Sequence, residues 1–471
     1  MIYRIVFFLR VIFSVTLLWF DNFTLDYQLS VGCLQYNFVT VFDCQSKFGL
    51  VLVIFISFLV FTFSIDYISG DTNVINFQKL LAMFVFSIIL LLLGGRITFF
   101  LIGWDALGIT SFLLILYYNR IGNVRSRLVT YTVNRFGDSL LIACIFFYGY
   151  QGNLLIISFV SRMGFFYTIA AITKSAGYPL RVWLPLAMDA PTPVRALVHR
   201  RTLVTAGLFL LARFNFDTLP MLTFIGRVTF LIGAATACYS QDVKKIIACS
   251  TLAHLGLMIV SLRLAQIELI LFHLATHALF KSGLFILAGT CLIRRYGIQD
   301  IRHLRPTGDG FFKILATYFC IASLSIFPFS TRFSKHTIIN RIQIENLNPV
   351  VPLLLILSTL LSIMYRLRLL RIFLVRGKLG IRGEVPDKTL FVLLLAAVVS
   401  IIFGNFFQSS NLLAYSFESF SVPIFLCLLI GFLISYQASK FLSRFAYMDQ
   451  IFDNFVGIFK GKQAQFWLVK W

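Results

Sequence analysis

His273, His277 and Lys281 follow one another at steps of four. On a helix that spacing sets two imidazoles and an ammonium in one row along about two turns, with Thr276 beside them. Side chains of these types take up and release protons. An imidazole exchanges near about pH 6.5. Burial disfavours an ammonium, so a lysine removed from water can lose proton affinity by about 3 to 5 pKa units. A neighbouring carboxylate opposes that loss. At roughly 8 Å and an effective dielectric of about 20 it stabilises the ammonium by about 2 kcal/mol. A single buried histidine is most often a hydrogen-bonded core residue, and three proton-exchanging groups in line make that reading less economical. A haem held by the two histidines is disfavoured, because bis-histidine ligands must approach from opposite faces of the ring.

The other ionisable groups with apolar sequence on both sides extend the set. Asp105 lies in Phe99-Phe100-Leu101-Ile102-Gly103-Trp104-Asp105-Ala106-Leu107-Gly108, too apolar a setting for a loop. Asp138 stands three residues after Arg135, a spacing at which the two can neutralise each other on a helix. Lys174 precedes Gly177 and Pro179, which should interrupt its helix, and such breaks are tolerated at membrane depth where they line a cavity. His199 follows Pro191-Thr192-Pro193, with proline suited to a first helical turn. Lys335 follows Phe327-Pro328-Phe329-Ser330, another interrupted element.

The elements that must position these groups are bilayer-spanning helices. The 471 residues are 59% hydrophobic and 13% charged, so water cannot be the solvent for most of the surface. Apolar stretches of about 20 residues, the length that crosses the hydrocarbon slab, recur from Ile2 to Phe20 through Val422 to Ile434. About 14 such spans are expected, giving an all-α polytopic membrane protein with broken helices and, from the paired lysines, inverted repeats. The expected order is N-terminal spans with a polar surface hairpin in 1–78, a proton-translocating core in 79–345, and C-terminal spans with a short interfacial tail in 346–471. The period-two alternation of Phe23 to Leu29 predicts the hairpin. Lysines and aromatics mixed over Ser443 to Trp471 predict the interfacial tail. Eight cysteines without a Cys-x-x-Cys pair argue against a disulfide frame, a zinc site or an iron-sulfur cluster. No cofactor is expected in this chain, and the expected surroundings are lipid and partner subunits rather than nucleic acid. No cleavable signal or transit peptide is read at the N-terminus.

In order along the chain stand Gly103-Trp104-Asp105, Asn134 to Asp138, Thr173 to Ala176, Trp183 to His199, Asp242 to Thr251, His273 to Lys281 and Phe333 to Lys335. This set resembles the antiporter-like proton-translocating subunits, of the subunit 5 kind, of NADH:ubiquinone oxidoreductase, respiratory complex I. The resemblance covers about half the chain, and its ordered agreement is far more specific than any one motif. It implies a coupling carboxylate at Asp105, a proton-carrying lysine at Lys174, a relay through His199, His273 and His277 with Lys281, and an exit lysine at Lys335. It also implies the mitochondrial inner membrane and the other subunits of complex I as partners. A cation/proton antiporter of the same superfamily is the alternative. Three departures stand out. Asp105 occupies a place where many relatives carry the longer glutamate. His336 replaces the aspartate that usually follows the exit lysine. One N-terminal span fewer than in longer relatives is read, and the long lateral helix is expected to be absent or vestigial.

Arginine raises a further question. Arg181, Arg195, Arg200, Arg201, Arg294 and Arg295 stand where the resemblance implies serine in the family or in some of its members. Three unpaired guanidiniums in one intramembrane helix would cost on the order of 8 to 10 kcal/mol. The hypothesis is that some of them arise from AGA and AGG codons read as arginine where an invertebrate mitochondrial code specifies serine. The net charge of +22 would then be overstated. Peptide mass spectrometry of the native organelle protein is expected to find serine among these positions; arginine at both 200 and 201 would discard the idea.

Overall fold

The structure, a computed structural model, describes residues 22–408 apart from connecting stretches that include 198–202, 302–309 and 375–386. The expected spans Ile2 to Phe20 and Val422 to Ile434, the tail from Ser443, and His199 lie outside the described residues. The expected hairpin is present. Strands β1 (Phe23–Val31) and β2 (Leu34–Phe42) pair antiparallel, Phe23 opposite Phe42 and Val31 opposite Leu34. The Gly95 amide donates to the Val39 carbonyl at 2.8 Å, which fixes β2 against the chain leaving the second helix.

The first four helices are α1 (Cys44–Tyr67), α2 (Val74–Leu93), α3 (Ile97–Leu116) and α4 (Val124–Tyr150). Helix α5 (Ile156–Lys174) is followed by a short turn, α6 (Trp183–Leu186), and then by α7 (Thr192–Leu197) and α8 (Leu203–Arg213). The second half comprises α9 (Pro220–Tyr239), α10 (Val243–Leu262), α11 (Ile267–Arg294), α12 (Gly310–Leu324), α13 (Ser330–Glu345), α14 (Val350–Leu374) and α15 (Asp387–Gln408). Among the described residues, seven of these are long and apolar enough to cross a membrane: α1, α2, α3, α9, α10, α11 and α14. Helices α12 and α15 hold shorter apolar stretches, Phe312–Leu324 and Thr389–Ile401. Helix α4 is long, but Arg125, Arg127, Arg135 and Asp138 interrupt its apolar sequence. Of the stretch from Val194 to Ala212, expected as one span, α7 carries the residues up to Leu197 and α8 those from Leu203, and 198–202 lie outside the described residues.

Helices α10 and α11 form the interior. Nearly nine-tenths of the apolar window of each is buried inside the protein, where a peripheral span would face lipid. Helix α11 packs against α1, α7, α10, α12, α13 and α15, so a polar side chain on any of its faces meets another helix rather than hydrocarbon. This is how a membrane protein can carry histidine and lysine along a 28-residue helix. Against α10, helix α9 lies at backbone distance. A Cβ at Gly256 would sit 2.5 Å from the Phe230 amide nitrogen and 2.6 Å from the Gly226 carbonyl oxygen. The missing side chain is what permits that approach, since lipid offers no hydrophobic drive and contact area must come from close packing.

Helix ends inside the bundle leave carbonyls without intrahelical donors. Two arginines supply them. Arg213 Nη1 donates to the Leu92 carbonyl at the end of α2, at 2.7 Å, and its guanidinium stands 3.5 Å from the Asp43 carboxylate that precedes α1. Arg368 Nη1 donates to the Cys238 and Ser240 carbonyls at the end of α9, at 2.6 and 3.1 Å. Cations at helix C-termini also meet the negative end of the helix dipole.

Because α9 and α10 meet at Gly256 without room for a side chain, Gly256→Val must push the pair apart. A cost of about 1 to 3 kcal/mol, or more, is expected from overpacking. Native electrophoresis of membranes carrying the variant should show less assembled protein, whereas Gly164→Val, where a Cβ meets nothing within 4 Å, should leave its level unchanged.

Candidate functional site

The first cluster of buried charge is built by α3, α4 and α5. Lys174 is fully buried in the last turn of α5. The helix stops there because Ala176 adopts a left-handed conformation, with φ of 54°. The Gly177 amide then donates to the Ile172 carbonyl at 3.0 Å, and the Ser175 amide to the Ala171 carbonyl at 2.9 Å. The Gly177 bond is the 6→1 bond of a Schellman-type ending, with Ala176 in the place glycine usually takes, and the Ser175 bond closes the last ordinary turn. The freed Thr173 carbonyl accepts the Trp183 indole N–H at 2.9 Å, so the turn after α5 folds back onto its end. The Lys174 ammonium therefore stands at the carbonyl end of its own helix, which favours a cation.

Three groups surround that ammonium. Asp138 Oδ1 is 3.3 Å away, the Trp104 carbonyl accepts from Nζ at 3.1 Å, and the Trp104 ring centroid lies 4.8 Å from Nζ. The Trp104 indole N–H also donates to Asp138 Oδ1 at 2.8 Å, which fixes the carboxylate facing the lysine. Gly108, one turn after Trp104, makes room: a Cβ there would stand 3.4 Å from Lys174 Nζ and 3.8 Å from Asp138 Oδ2. Arg135 approaches the far side of the carboxylate, 3.6 Å from Asp138 Oδ2, and reaches Asp105 Oδ1 at 4.0 Å. Asp138 thus stands between a fully buried ammonium and a half-exposed guanidinium.

The second cluster joins α10, α11, α13 and α14. His254 Nδ1 and His273 Nε2 are 3.1 Å apart, and His273 Nδ1 lies 2.9 Å from Ser334 Oγ. Thr276 Oγ1 is 3.2 Å from the same serine oxygen and donates to the His273 carbonyl at 3.0 Å. At the other end Arg366 Nη2 stands 2.7 Å from His254 Nε2. The His277 ring lies 4.7 Å from that of His254 and 6.4 Å from that of His273. One turn further, the Lys281 ammonium donates to Ser250 Oγ and, at 3.4 Å, to the Ile247 carbonyl. Lys335 donates to Ser362 Oγ at 3.1 Å. Every one of these side chains is at least 95% buried.

The geometry refines the expectations drawn from spacing. Lys174 is paired with Asp138, while Asp105 meets Arg135 and acts on the lysine by charge from further away. Arg135 and Asp138 do approach each other, as their spacing allows, but Asp138 spends its other oxygen on Lys174 and Trp104. His273 and His277 share a face of α11 as expected, and Lys281 lies on the same helix but turns to α10. The motif from Asp242 is an architectural tie. Asp242 opens α10 with its carboxylate 3.0 Å from Lys245, and the Val243 amide and Gln241 carbonyl bond residues 299 and 301. Burial alone would raise the Asp242 carboxyl, but Lys245 holds it below the usual carboxylate value. Arg195 lies within α7 and is buried.

Sequence spacing did not single out Trp104 as a positioning group, nor His254, Ser334 and Arg366. His254 and Arg366 carry the signal that found the others, an ionisable residue inside an apolar helix. Neither forms a repeat at steps of four with the groups it contacts, because those groups come from other helices.

Residues 94–363 match the family described as NADH:quinone oxidoreductase/Mrp antiporter, transmembrane. Both clusters lie inside that range except Arg366. The chain is 34% identical over 447 residues to NADH-ubiquinone oxidoreductase chain 5 of Anopheles quadrimaculatus, covering 88% of this chain and 77% of that protein. In fold it is similar to a chain of the Mrp complex from Dietzia sp. DQ12-45-1b, with a TM-score of 0.75 at 19% identity. That likeness covers 96% of this chain and 54% of the other, so this chain spans about half the length of its Mrp counterpart. It is also similar to a chain of the membrane-bound sulfane sulfur reductase, an archaeal respiratory membrane complex, with a TM-score of 0.73 at 18% identity, over 86% of this chain and 71% of that one. The chain is a multi-pass membrane protein, and it belongs to the NADH:quinone oxidoreductase/Mrp antiporter transmembrane family, alongside the chain 5 proteins of NADH-ubiquinone oxidoreductase.

Proposed function

We propose that this chain carries protons across the mitochondrial inner membrane as the antiporter-like subunit of a respiratory NADH:ubiquinone oxidoreductase. Other subunits carry out electron transfer, and this one, with no cofactor of its own, converts their conformational change into proton movement. The reading rests above all on one observation. A fully buried ammonium, Lys174, faces a carboxylate, Asp138, that a second cation, Arg135, approaches from the opposite side.

That arrangement can hold a proton and release it without chemistry on a cofactor. At an effective dielectric of about 20, a carboxylate 3.3 Å from the ammonium attracts it by roughly 5 kcal/mol, and drawing the pair out to about 6 Å roughly halves the attraction. Arg135 and Asp105 provide the means of drawing it out, because Asp138 Oδ2 already lies 3.6 Å from the guanidinium. A displacement of α4 relative to α5 that favours the arginine leaves the ammonium unsupported in apolar surroundings, where the charged form is costly. The proton leaves Lys174 as a consequence. Lys281, the histidines and Lys335 form the later stations, with His199 as an additional member of the relay. A sodium-exchanging antiporter would use the same groups, and the kinship with chain 5 proteins of NADH-ubiquinone oxidoreductase favours the respiratory reading.

The test is proton uptake by vesicles containing the purified respiratory assembly, driven by NADH and expressed per electron. Lys174→Met is expected to cut the ratio sharply in an assembly that still forms. Asp138→Asn removes one partner of a buried pair, a change that costs roughly 3 to 5 kcal/mol, and should impair pumping less completely than loss of the lysine. Replacing sodium with choline should leave the ratio unchanged. An assembled Lys174→Met complex that pumps normally would sink the proposal, and a strict sodium requirement would return the antiporter reading.

A further inference from the structure

The second cluster has a hydrogen-bond direction that its own chemistry fixes. A guanidinium has five N–H donors and no acceptor, and it does not deprotonate in proteins. Arg366 Nη2, 2.7 Å from His254 Nε2, must therefore donate, and His254 Nε2 must accept with its lone pair. The proton of a neutral His254 is then on Nδ1, which faces His273 Nε2 at 3.1 Å. His273 accepts there and holds its own proton on Nδ1, donated to Ser334 Oγ at 2.9 Å. Ser334 is left to pass its hydroxyl hydrogen to Thr276 Oγ1 at 3.2 Å or to the Thr331 carbonyl at 3.3 Å. From Arg366 on α14 to Ser334 on α13, every bond points the same way.

We infer that Arg366 is the gate of a one-way proton relay: while its guanidinium rests on His254, both histidines are held neutral in the Nδ1–H form, and the relay conducts only when the arginine withdraws. The inference rests on the proton-carrying reading of this cluster and adds to it a positioning residue and a direction of travel. A second proton on His254 would have to sit on Nε2, where two donors would then face each other across 2.7 Å. A second proton on His273 would have to sit on Nε2, opposite the His254 Nδ1–H. The charges nearby reinforce the exclusion. His254 is faced by His273, His277 and Lys281 from α11 and by Arg366 from α14; His273 is faced also by Lys335 from α13. These neighbours are all basic.

Once Arg366 leaves, the transfer balances. A proton arriving on water forms an N–H bond at His254 Nε2, and the His254 Nδ1–H bond breaks as its proton passes to His273 Nε2. The His273 Nδ1–H bond breaks in turn and its proton passes to Ser334 Oγ, whose own hydroxyl hydrogen moves on to Thr276 Oγ1; the threonine gives up the hydrogen it had held towards the His273 carbonyl to a second water, so one proton enters and one leaves. Each histidine ends neutral with its proton on Nε2, so a second proton cannot follow until the rings or their protons reset. Return of Arg366 demands that reset, because its N–H groups again require a lone pair at His254 Nε2. The Tyr365 ring centroid lies 5.4 Å from the guanidinium carbon while Nη2 is on His254, and such faces attract cations, so the ring supports the closed position.

The test reads the histidines themselves, by infrared pH titration of the purified assembly, with His254→Gln as the reference that identifies the His254 signal. Glutamine keeps both roles, its oxygen accepting from Arg366 and its amide donating to His273. In the wild type, no imidazolium band assignable to His254 should appear on acidification to about pH 5.5, well below the ordinary histidine range. In Arg366→Gln, whose amide can turn its oxygen towards a protonated Nε2, that band should appear, and it should vanish in the Arg366→Gln/His254→Gln double variant. Arg366→Lys, again a donor alone, should suppress it. Pumping per electron in Arg366→Gln should fall about fourfold from pH 8 to pH 6, as the neutral fraction of an ordinary imidazole does, and the double variant should lose this acid limb. An imidazolium band from His254 in the wild type would overturn the gate, and this comparison needs no Arg366 variant to assemble. A limb that persists after His254→Gln, or serine at position 366 in the native protein, would overturn it too. The titration does not depend on pumping, so a normally pumping Lys174→Met complex would remove the functional reading without altering the spectra.

Discussion

An ammonium enclosed by helices, away from water and lipid headgroups, needs a negative partner held in place by something other than solvent. Lys174 meets that need through Asp138, and much of the surrounding construction follows from it. The carboxylate is aimed by the Trp104 indole. Gly108 leaves the space that the pair occupies. The helix carrying the lysine ends at that residue, with left-handed Ala176 two positions on, so the ammonium also meets a carbonyl end. Packing and charge are thus solved by the same residues. Apolar residues in place of both Lys174 and Asp138 would relieve the burial cost and remove the means of holding a proton.

The second cluster links its basic groups through hydroxyls. Its histidines and hydroxyls satisfy one another across four helices, and its lysines donate to serine oxygens. The consequence is a region whose protonation is set by hydrogen-bond direction as much as by charge. The first cluster works by the distance between opposite charges; the second works by which atom of each ring carries hydrogen.

Much of this was legible in the residues. Apolar length announced the spans, alternation announced the hairpin that starts at Phe23, and ionisable residues inside apolar sequence announced Asp105, Asp138, Lys174 and the row on α11. What stayed hidden has a common cause. The partnership of Lys174 with Asp138 rather than Asp105 depends on how α3, α4 and α5 rotate against one another, which spacing along one helix does not encode. His254 meets its partners from α11 and α14, 19 and 112 residues away. Trp104 reads as an apolar residue until its indole N–H is seen to face a carboxylate.

Arg213 and Arg368 reach carbonyls that precede them by 121 and 130 residues. A chain emerging from the ribosome exposes α2 and α9 long before either guanidinium exists. Those helix ends therefore receive their side-chain donors only once α8 and α14 have been made.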